Sequence, residues 1–136
     1  MEARGVYGAI AEDHLRAPRN LGKLDGADGV GTVEDDDSQT MVTVYVKLHE
    51  RSGGEPTIAE ARFRAFGCGG CIITGSIATV LAVGRPVSDA VALDGTAIER
   101  ALDDGLPADQ RYCAALAARA LRLACQSATA QSEQPG

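Results

Sequence analysis

The chain has 136 residues, 45% of them hydrophobic and 24% charged, the balance of one domain with an ordinary buried core. Aromatic residues make up only 4% and Trp is absent, so that core must be built from Ala, Val, Leu and Ile. Thirteen Lys and Arg against nineteen Asp and Glu give a net charge of −6, which argues against nucleic acid or an anionic membrane surface as the main partner. The apolar runs fall far short of a membrane span. Residues 1–5 lack the basic start and apolar stretch of a signal peptide, so the expected location is cytoplasmic.

Apolar spacing at Tyr7, Ile10, Ala11, His14 and Leu15 predicts a short amphipathic helix, stopped by Pro18. Residues 19–22 then read as a turn, and residues 25–33, rich in Gly and Asp, as loop. From Met41 the period changes to two, with Val42, Val44 and Val46 alternating with Thr43, Tyr45 and Lys47. A turn at residues 51–56 separates this strand from a second, Ile58 to Phe66, with Ala61, Phe63 and Ala65 on one face. The two strands predict an antiparallel hairpin.

After Cys71 the spacing becomes helical, with Ile72, Ile73, Ile77, Val80 and Leu81 on one face and an end at Gly84-Arg85-Pro86. Residues 88–93 add one or two turns. Thr96-Ala97-Ile98-Glu99 fits a capping box opening a short helix to Leu102. Pro107 marks the expected start of a last helix running to about Ser127, with Leu116, Ala120 and Leu123 in line. The expectation is a single domain over residues 1–127, followed by a disordered tail over 128–136. The order of elements predicts an α+β fold, a small antiparallel sheet with helices packed on one face.

The four cysteines are Cys68, Cys71, Cys113 and Cys125. In a chain without a leader they point to thiol or metal chemistry rather than disulfides. Cys68 and Cys71 form a C-x-x-C in Gly67-Cys68-Gly69-Gly70-Cys71, between a strand end and a helix start. Glycines there permit close backbone approach and leave amides free, and a helix N-terminus stabilises a thiolate. Cys113 and Cys125 stand about 120° apart around a helix axis, so they do not face one ion, and Cys125 reads as a small buried hydrophobe. Glu34-Asp35-Asp36-Asp37 is either a solvated loop or the source of one hard oxygen ligand for the cysteines.

Several stretches together carry a resemblance. These are His14-Leu15-Arg16-Ala17-Pro18-Arg19-Asn20-Leu21-Gly22, Ala27-Asp28-Gly29-Val30-Gly31, Phe63 to Gly69, Thr74-Gly75-Ser76-Ile77-Ala78-Thr79, Leu106-Pro107 and Tyr112 to Leu121. From about Tyr7 to Ala124 the chain resembles the U-type iron–sulfur cluster assembly scaffolds, related to the N-terminal domain of the nitrogen-fixation scaffold protein. The resemblance implies a scaffold or carrier rather than an enzyme. It implies that three cysteines and a nearby Asp or His hold a nascent cluster, most simply [2Fe–2S], with zinc as a possible occupant on isolation. Sulfur would arrive from a cysteine desulfurase, and the cluster would leave to carriers or apo-protein recipients.

The chain also departs from that pattern. Where the family has its first cysteine, alignment on Val42, Val44 and Val46 puts Asp37, or Ser38 after a one-residue slip. Tyr112 replaces the histidine before the last cysteine, the basic chaperone-recognition sequence is absent after Leu106-Pro107, and Cys71 is gained beside Cys68. The relocated third thiol implies a site of Cys68, Cys71 and Cys113, with Asp37 or a neighbouring carboxylate as fourth ligand; Ser38, Tyr112 and Cys125 are the other candidates. Two rival readings remain open: a zinc- or iron-binding paralogue without scaffold activity, and a C-x-x-C thiol oxidoreductase, for which the βαβ context is missing. A monomer or a small homo-oligomer suits a chain of this size.

Overall fold

The computed structural model describes residues 7–50 and 54–133, with side chains described to residue 130. The stretch read for a leader (1–5), the first half of the predicted turn (51–53) and the end of the predicted tail (134–136) lie outside the described residues. A short helix, α1 (Ala9–Arg16), precedes three antiparallel strands, β1 (Gly29–Asp35), β2 (Thr40–His49) and β3 (Thr57–Phe66), in the order β1-β2-β3. Then come α2 (Gly69–Ala82), α3 (Val87–Ala92), α4 (Gly95–Ala101), a 3-10 turn at Ala108–Gln110 and α5 (Tyr112–Glu133). α5 packs along β1 and β2 and α2 along β3, so helices cover one face of the sheet, while Val30, Arg62 and Arg64 stay exposed on the other. This is the α+β architecture that the element order predicts.

The predicted hairpin is present: Val42, Val44 and Val46 pair with Ala65, Phe63 and Ala61 and send their side chains to the helices. The loop expected over 25–33 is instead largely strand, since β1 begins at Gly29. Its inward positions are Gly29, Gly31 and Val33, a period-two pattern hidden because two of the three have no side chain. A Cβ on Gly29 would collide with the Ala124 carbonyl, and one on Gly31 with the Ala120 carbonyl and the Ala124 amide. The helix backbone lies directly on the strand, and glycine is what permits it.

The end of the chain also differs from expectation. α5 runs to Glu133, and Ala128, placed by the sequence in a disordered tail, is buried against Gly29. Apolar contact with β1 keeps the helix going where composition alone reads as tail. α5 opens at Tyr112, after the 3-10 turn that follows Pro107, so the helix begins five residues later than its proline suggests. Of the predicted stripe, Ala120 is buried but Leu123 is 38% exposed; Cys113, Ala117, Leu121, Ala124 and Cys125 form the inner face. In α2 the buried positions run almost all the way round, leaving Val80 exposed, because the helix is enclosed by the sheet, α1, α4 and α5. α4 is capped by Asp94, whose carboxylate accepts from the Ala97 amide at 2.9 Å, rather than by the Thr96–Glu99 box.

Residues 14–22 form a strap across α2. The Ser76 hydroxyl accepts from the Arg19 amide (2.9 Å) and is hydrogen-bonded to His14 Nδ1 (2.6 Å), and the Asn20 amide group donates to Thr79 Oγ1. The strap then pairs with the free edge of β3, Phe63 N–H to Asn20 O and Gly22 N–H to Phe63 O. His14 is buried, and burial, with Arg19 nearby, holds its pKa below the usual value of 6.5. The unfolded chain therefore binds the extra proton more readily. The His14 contribution to stability should be level above pH 6.5 and fall as the pH drops below it, and His14→Asn should remove that part of the slope in urea unfolding measured from pH 7.5 to 5.5. An unchanged slope in the variant would rule out His14 as its source.

Candidate metal centre

β3 ends at Phe66 and α2 begins at Gly69, so the intervening Gly67 and Cys68 must turn the chain sharply. Gly67 does this at φ 138°, in the region open to glycine, with the Thr40 side chain 3.0 Å from where a Cβ would stand. Cys68 takes the N-cap position of α2 and Cys71 its first turn, while α5 brings Cys113 in from the opposite side in its own first turn. The three sulfurs meet: Cys113 Sγ is 3.2 Å from Cys71 Sγ and 3.4 Å from Cys68 Sγ, and all three ligand atoms lie within 4.8 Å of one another. Cys71 and Cys113 are buried, and Cys68 is half-buried. Among the described residues these are the cysteine, histidine and carboxylate side chains grouped closely enough to hold a metal ion.

Gly70 leaves room at the convergence, since a Cβ there would sit 2.7 Å from Gln110 Oε1 and 3.2 Å from Cys113 Sγ. Its amide does not face the sulfurs as the motif suggests. It donates to Gln110 Oε1 at 2.8 Å, the same oxygen that accepts from the Tyr7 hydroxyl. Gln110, on the 3-10 turn just before α5, thus ties α2 to the start of the helix that carries Cys113. Nothing in its sequence context signals that role.

A line of hydroxyls leads out from the sulfurs. Tyr112 Oη is 3.7 Å from Cys68 Sγ and 3.3 Å from Thr40 Oγ1; Ser38 Oγ is 2.8 Å from Thr40 Oγ1 and donates to Asp35 Oδ2. Thr40 is buried and was not legible in the sequence as a site residue. Asp37 is exposed on the turn between β1 and β2 and lies outside the grouped ligand atoms; the carboxylate wired toward the site is its neighbour Asp35.

The sulfurs share their protons. The Cys113 thiol donating to Cys71 holds the Cys71 pKa down at about 7 although burial opposes it, and the Cys68 and Thr40 side chains add to that effect. The same contact, with burial and the neighbouring negative sulfur, pushes Cys113 well above the usual thiol value. Three thiolates this close repel, and a bound cation relieves that repulsion. Cys125 stands apart, with burial pushing its thiol up to about 11, as its reading as an inert core residue requires.

The model of the family "NifU-like N terminal domain" matches residues 6–134. The chain is 39% identical over 119 residues to "Iron-sulfur cluster assembly scaffold protein IscU 1" of Archaeoglobus fulgidus, covering 88% of this chain and 74% of that protein. It is 33% identical over 122 residues to "Iron-sulfur cluster assembly scaffold protein IscU" of Azotobacter vinelandii, covering 88% and 91%. In fold it is similar to a nitrogen-fixing NifU-like protein (N-terminal) from Brucella abortus, with TM-score 0.67 at 17% identity over 92% of this chain and 95% of that one. Strand order, helix placement and matched sequence together assign the chain: it belongs to the NifU-like N-terminal domain family.

Proposed function

We propose that this chain is a scaffold on which a nascent iron–sulfur cluster of the [2Fe–2S] type is built and from which it is passed on. The observation that carries the reading is the convergence of three sulfurs within 4.8 Å, with one of them, Cys68, half-open to the outside. Cys68, Cys71 and Cys113 are the thiolate ligands, and Asp37 or a neighbouring carboxylate on the same turn supplies the fourth. The hydroxyl path from Asp35 through Ser38, Thr40 and Tyr112 supports placing that turn beside the site. Thiolates are the usual ligands of iron–sulfur clusters, and a harder oxygen ligand at one corner leaves the cargo easier to release.

In this reading Cys71 takes over the role of the family cysteine that Asp37 has replaced. Sulfur comes from a cysteine desulfurase, and carriers or apo-proteins receive the finished cluster. The relatives named as scaffold proteins support this division of labour, in which the chain binds and transfers cargo rather than turning over a substrate. No helix among the described residues is long and apolar enough to cross a membrane, which is compatible with a cytoplasmic setting.

The test is iron, zinc and acid-labile sulfide per chain after anaerobic purification, with an absorption spectrum. Iron and sulfide in about equal amounts, with visible charge-transfer bands, is the expected result. Zinc alone, followed by failure to take up iron and sulfide on anaerobic reconstitution, would overturn the scaffold reading in favour of a metal-binding paralogue, because three thiolates and one oxygen also suit tetrahedral zinc.

A further inference from the structure

The first-turn amides of a helix need acceptors from outside it, and the N-cap side chain ordinarily supplies one. At α2 the N-cap is Cys68, whose side chain makes no such bond. The Gly70 amide is served instead by Gln110 Oε1, 40 residues away in sequence, at 2.8 Å. That oxygen accepts a second bond, also of 2.8 Å, from the Tyr7 hydroxyl. Gln110 stands three residues before Cys113, and Gly70 lies between Cys68 and Cys71. One side-chain oxygen therefore ties together the two helix starts that carry the sulfurs.

Tyr7 is itself held in place. The Gly8 amide donates to the Gly105 carbonyl at 2.8 Å, and the two glycines pack so closely that a Cβ on Gly8 would stand 2.9 Å from Gly105 Cα. The Tyr7 hydroxyl also fills the space beside Gly69, 2.8 Å from where a Cβ there would stand. The segment ahead of α1 is thus pinned to the α4–α5 connection and wedged against the start of α2. A glutamine side chain loses considerable rotamer freedom when fixed. A second bond to its oxygen, from a pinned donor, keeps it where the Gly70 amide needs it.

We propose that Tyr7 and Gln110 are positioning residues of the metal centre, so that docking of the segment ahead of α1 and binding of metal at the sulfurs favour each other. With the tie in place, the metal-free sulfurs are already gathered within 4.8 Å of one another. Without it, thiolates that repel are free to move apart, and binding must collect them again. Linkage makes the effect mutual: the factor that docked Tyr7 adds to metal affinity is the factor that bound metal adds to the docking of Tyr7. The inference rests on the three-thiol centre of the reading above, whatever cargo that centre carries.

The test uses the full-length, reduced, metal-free protein with zinc as the probe, its affinity read by chelator competition. Gln110→Met, similar in length but without the oxygen, and Tyr7→Phe should each weaken zinc binding by about tenfold. The double variant should also lose about tenfold rather than a hundredfold, because both bonds act through one oxygen. Gln110→Glu keeps an acceptor oxygen at that position and should stay within about threefold of wild type. Asp94→Ala, which removes the α4 cap, is the control for a loss of stability alone and should leave zinc affinity unchanged. Hydrogen exchange at the Gly8 amide reads the other direction of the linkage. Zinc should slow it about tenfold in wild type and less than about twofold in Gln110→Met.

Circular dichroism confirms that each variant is folded; if Gln110→Met is not, Tyr7→Phe, which removes a single hydroxyl, carries the test. Wild-type zinc affinity in the folded Tyr7 and Gln110 variants would overturn the proposal. So would an additive double variant, or Gly8 exchange that zinc leaves unchanged in wild type. Parallel reconstitution with iron and sulfide separates the two readings. Coupled zinc binding without cluster uptake sinks only the scaffold, and cluster uptake with uncoupled zinc binding sinks only this inference.

Discussion

Replacing Cys71 with Ser should weaken zinc binding, a redox-silent probe of the thiol site, by more than about a hundredfold and abolish retention of iron and sulfide on anaerobic reconstitution. A change in the shell around a metal ligand already costs up to about a hundredfold in affinity, and removal of a ligand should exceed that. Cys71 is buried with its sulfur 3.2 Å from Cys113, and no unpartnered buried side-chain N or O atom among the described residues stands ready to replace it. Its thiol pKa near 7 means that the ligating thiolate is available at neutral pH at little energetic cost. Cys125→Ala is the control. That sulfur is buried in the core, its thiol is pushed up to about 11, and its loss should leave zinc affinity and cluster retention at the wild-type level. Chelator competition on the two variants, each shown to be folded, decides the matter. Wild-type affinity in Cys71→Ser would mean that the family's missing cysteine has not been replaced by this one.

The parts of this molecule that were legible from the residues are those whose pattern survives in side chains. Val42, Val44 and Val46 alternate against Thr43 and Tyr45, so the hairpin and its inward face could be read directly. The C-x-x-C between strand and helix announced the site, and Cys113 followed because it lies in the first turn of a helix. What stayed hidden was carried by backbone or by distant partners. Gly29 and Gly31 occupy strand positions normally marked by apolar side chains, because the apolar surface they meet is the α5 backbone itself. Thr40 and Gln110 are polar residues in ordinary turn and strand contexts. Their roles exist only because Tyr112, across a separation of 72 residues, and Gly70, 40 residues away, are folded onto them. Ala128 looked like tail because small residues give no periodic signal, yet small size is what lets α5 lie flat on β1.

That close approach makes a prediction whose sign is unusual. Exchanging glycine for alanine inside a strand ordinarily stabilises, by roughly 0.5–1 kcal/mol, because it restricts the unfolded chain. Gly31→Ala should instead destabilise this protein by about 3 kcal/mol, the upper part of the range for overpacking a filled interior. A Cβ at that position would overlap the Ala120 carbonyl and the Ala124 amide, which are hydrogen-bonding groups of a helix interior and cannot rotate away as a side chain could. Relief requires α5 to lift from β1, opening the core packed around Ala120, Leu121 and Ala124. Thr32→Ser, one residue along on the exposed face and keeping the hydroxyl that meets Thr43 Oγ1 at 3.0 Å, should change stability by no more than about 0.5 kcal/mol. Urea unfolding of the reduced proteins at pH 7.5 compares the two. Against a total stability on the order of 5–15 kcal/mol, a loss of that size is a large shift of midpoint. It also reaches the site, since the helix that must lift is the one that carries Cys113 into contact with Cys68 and Cys71. Gly31→Ala should therefore weaken zinc binding as well, though the residue touches no sulfur, and Thr32→Ser should not. Stability at or above the wild-type value would mean that α5 does not press on β1 at Gly31, and that the sulfurs are held together by Gln110 and the α2 contact alone.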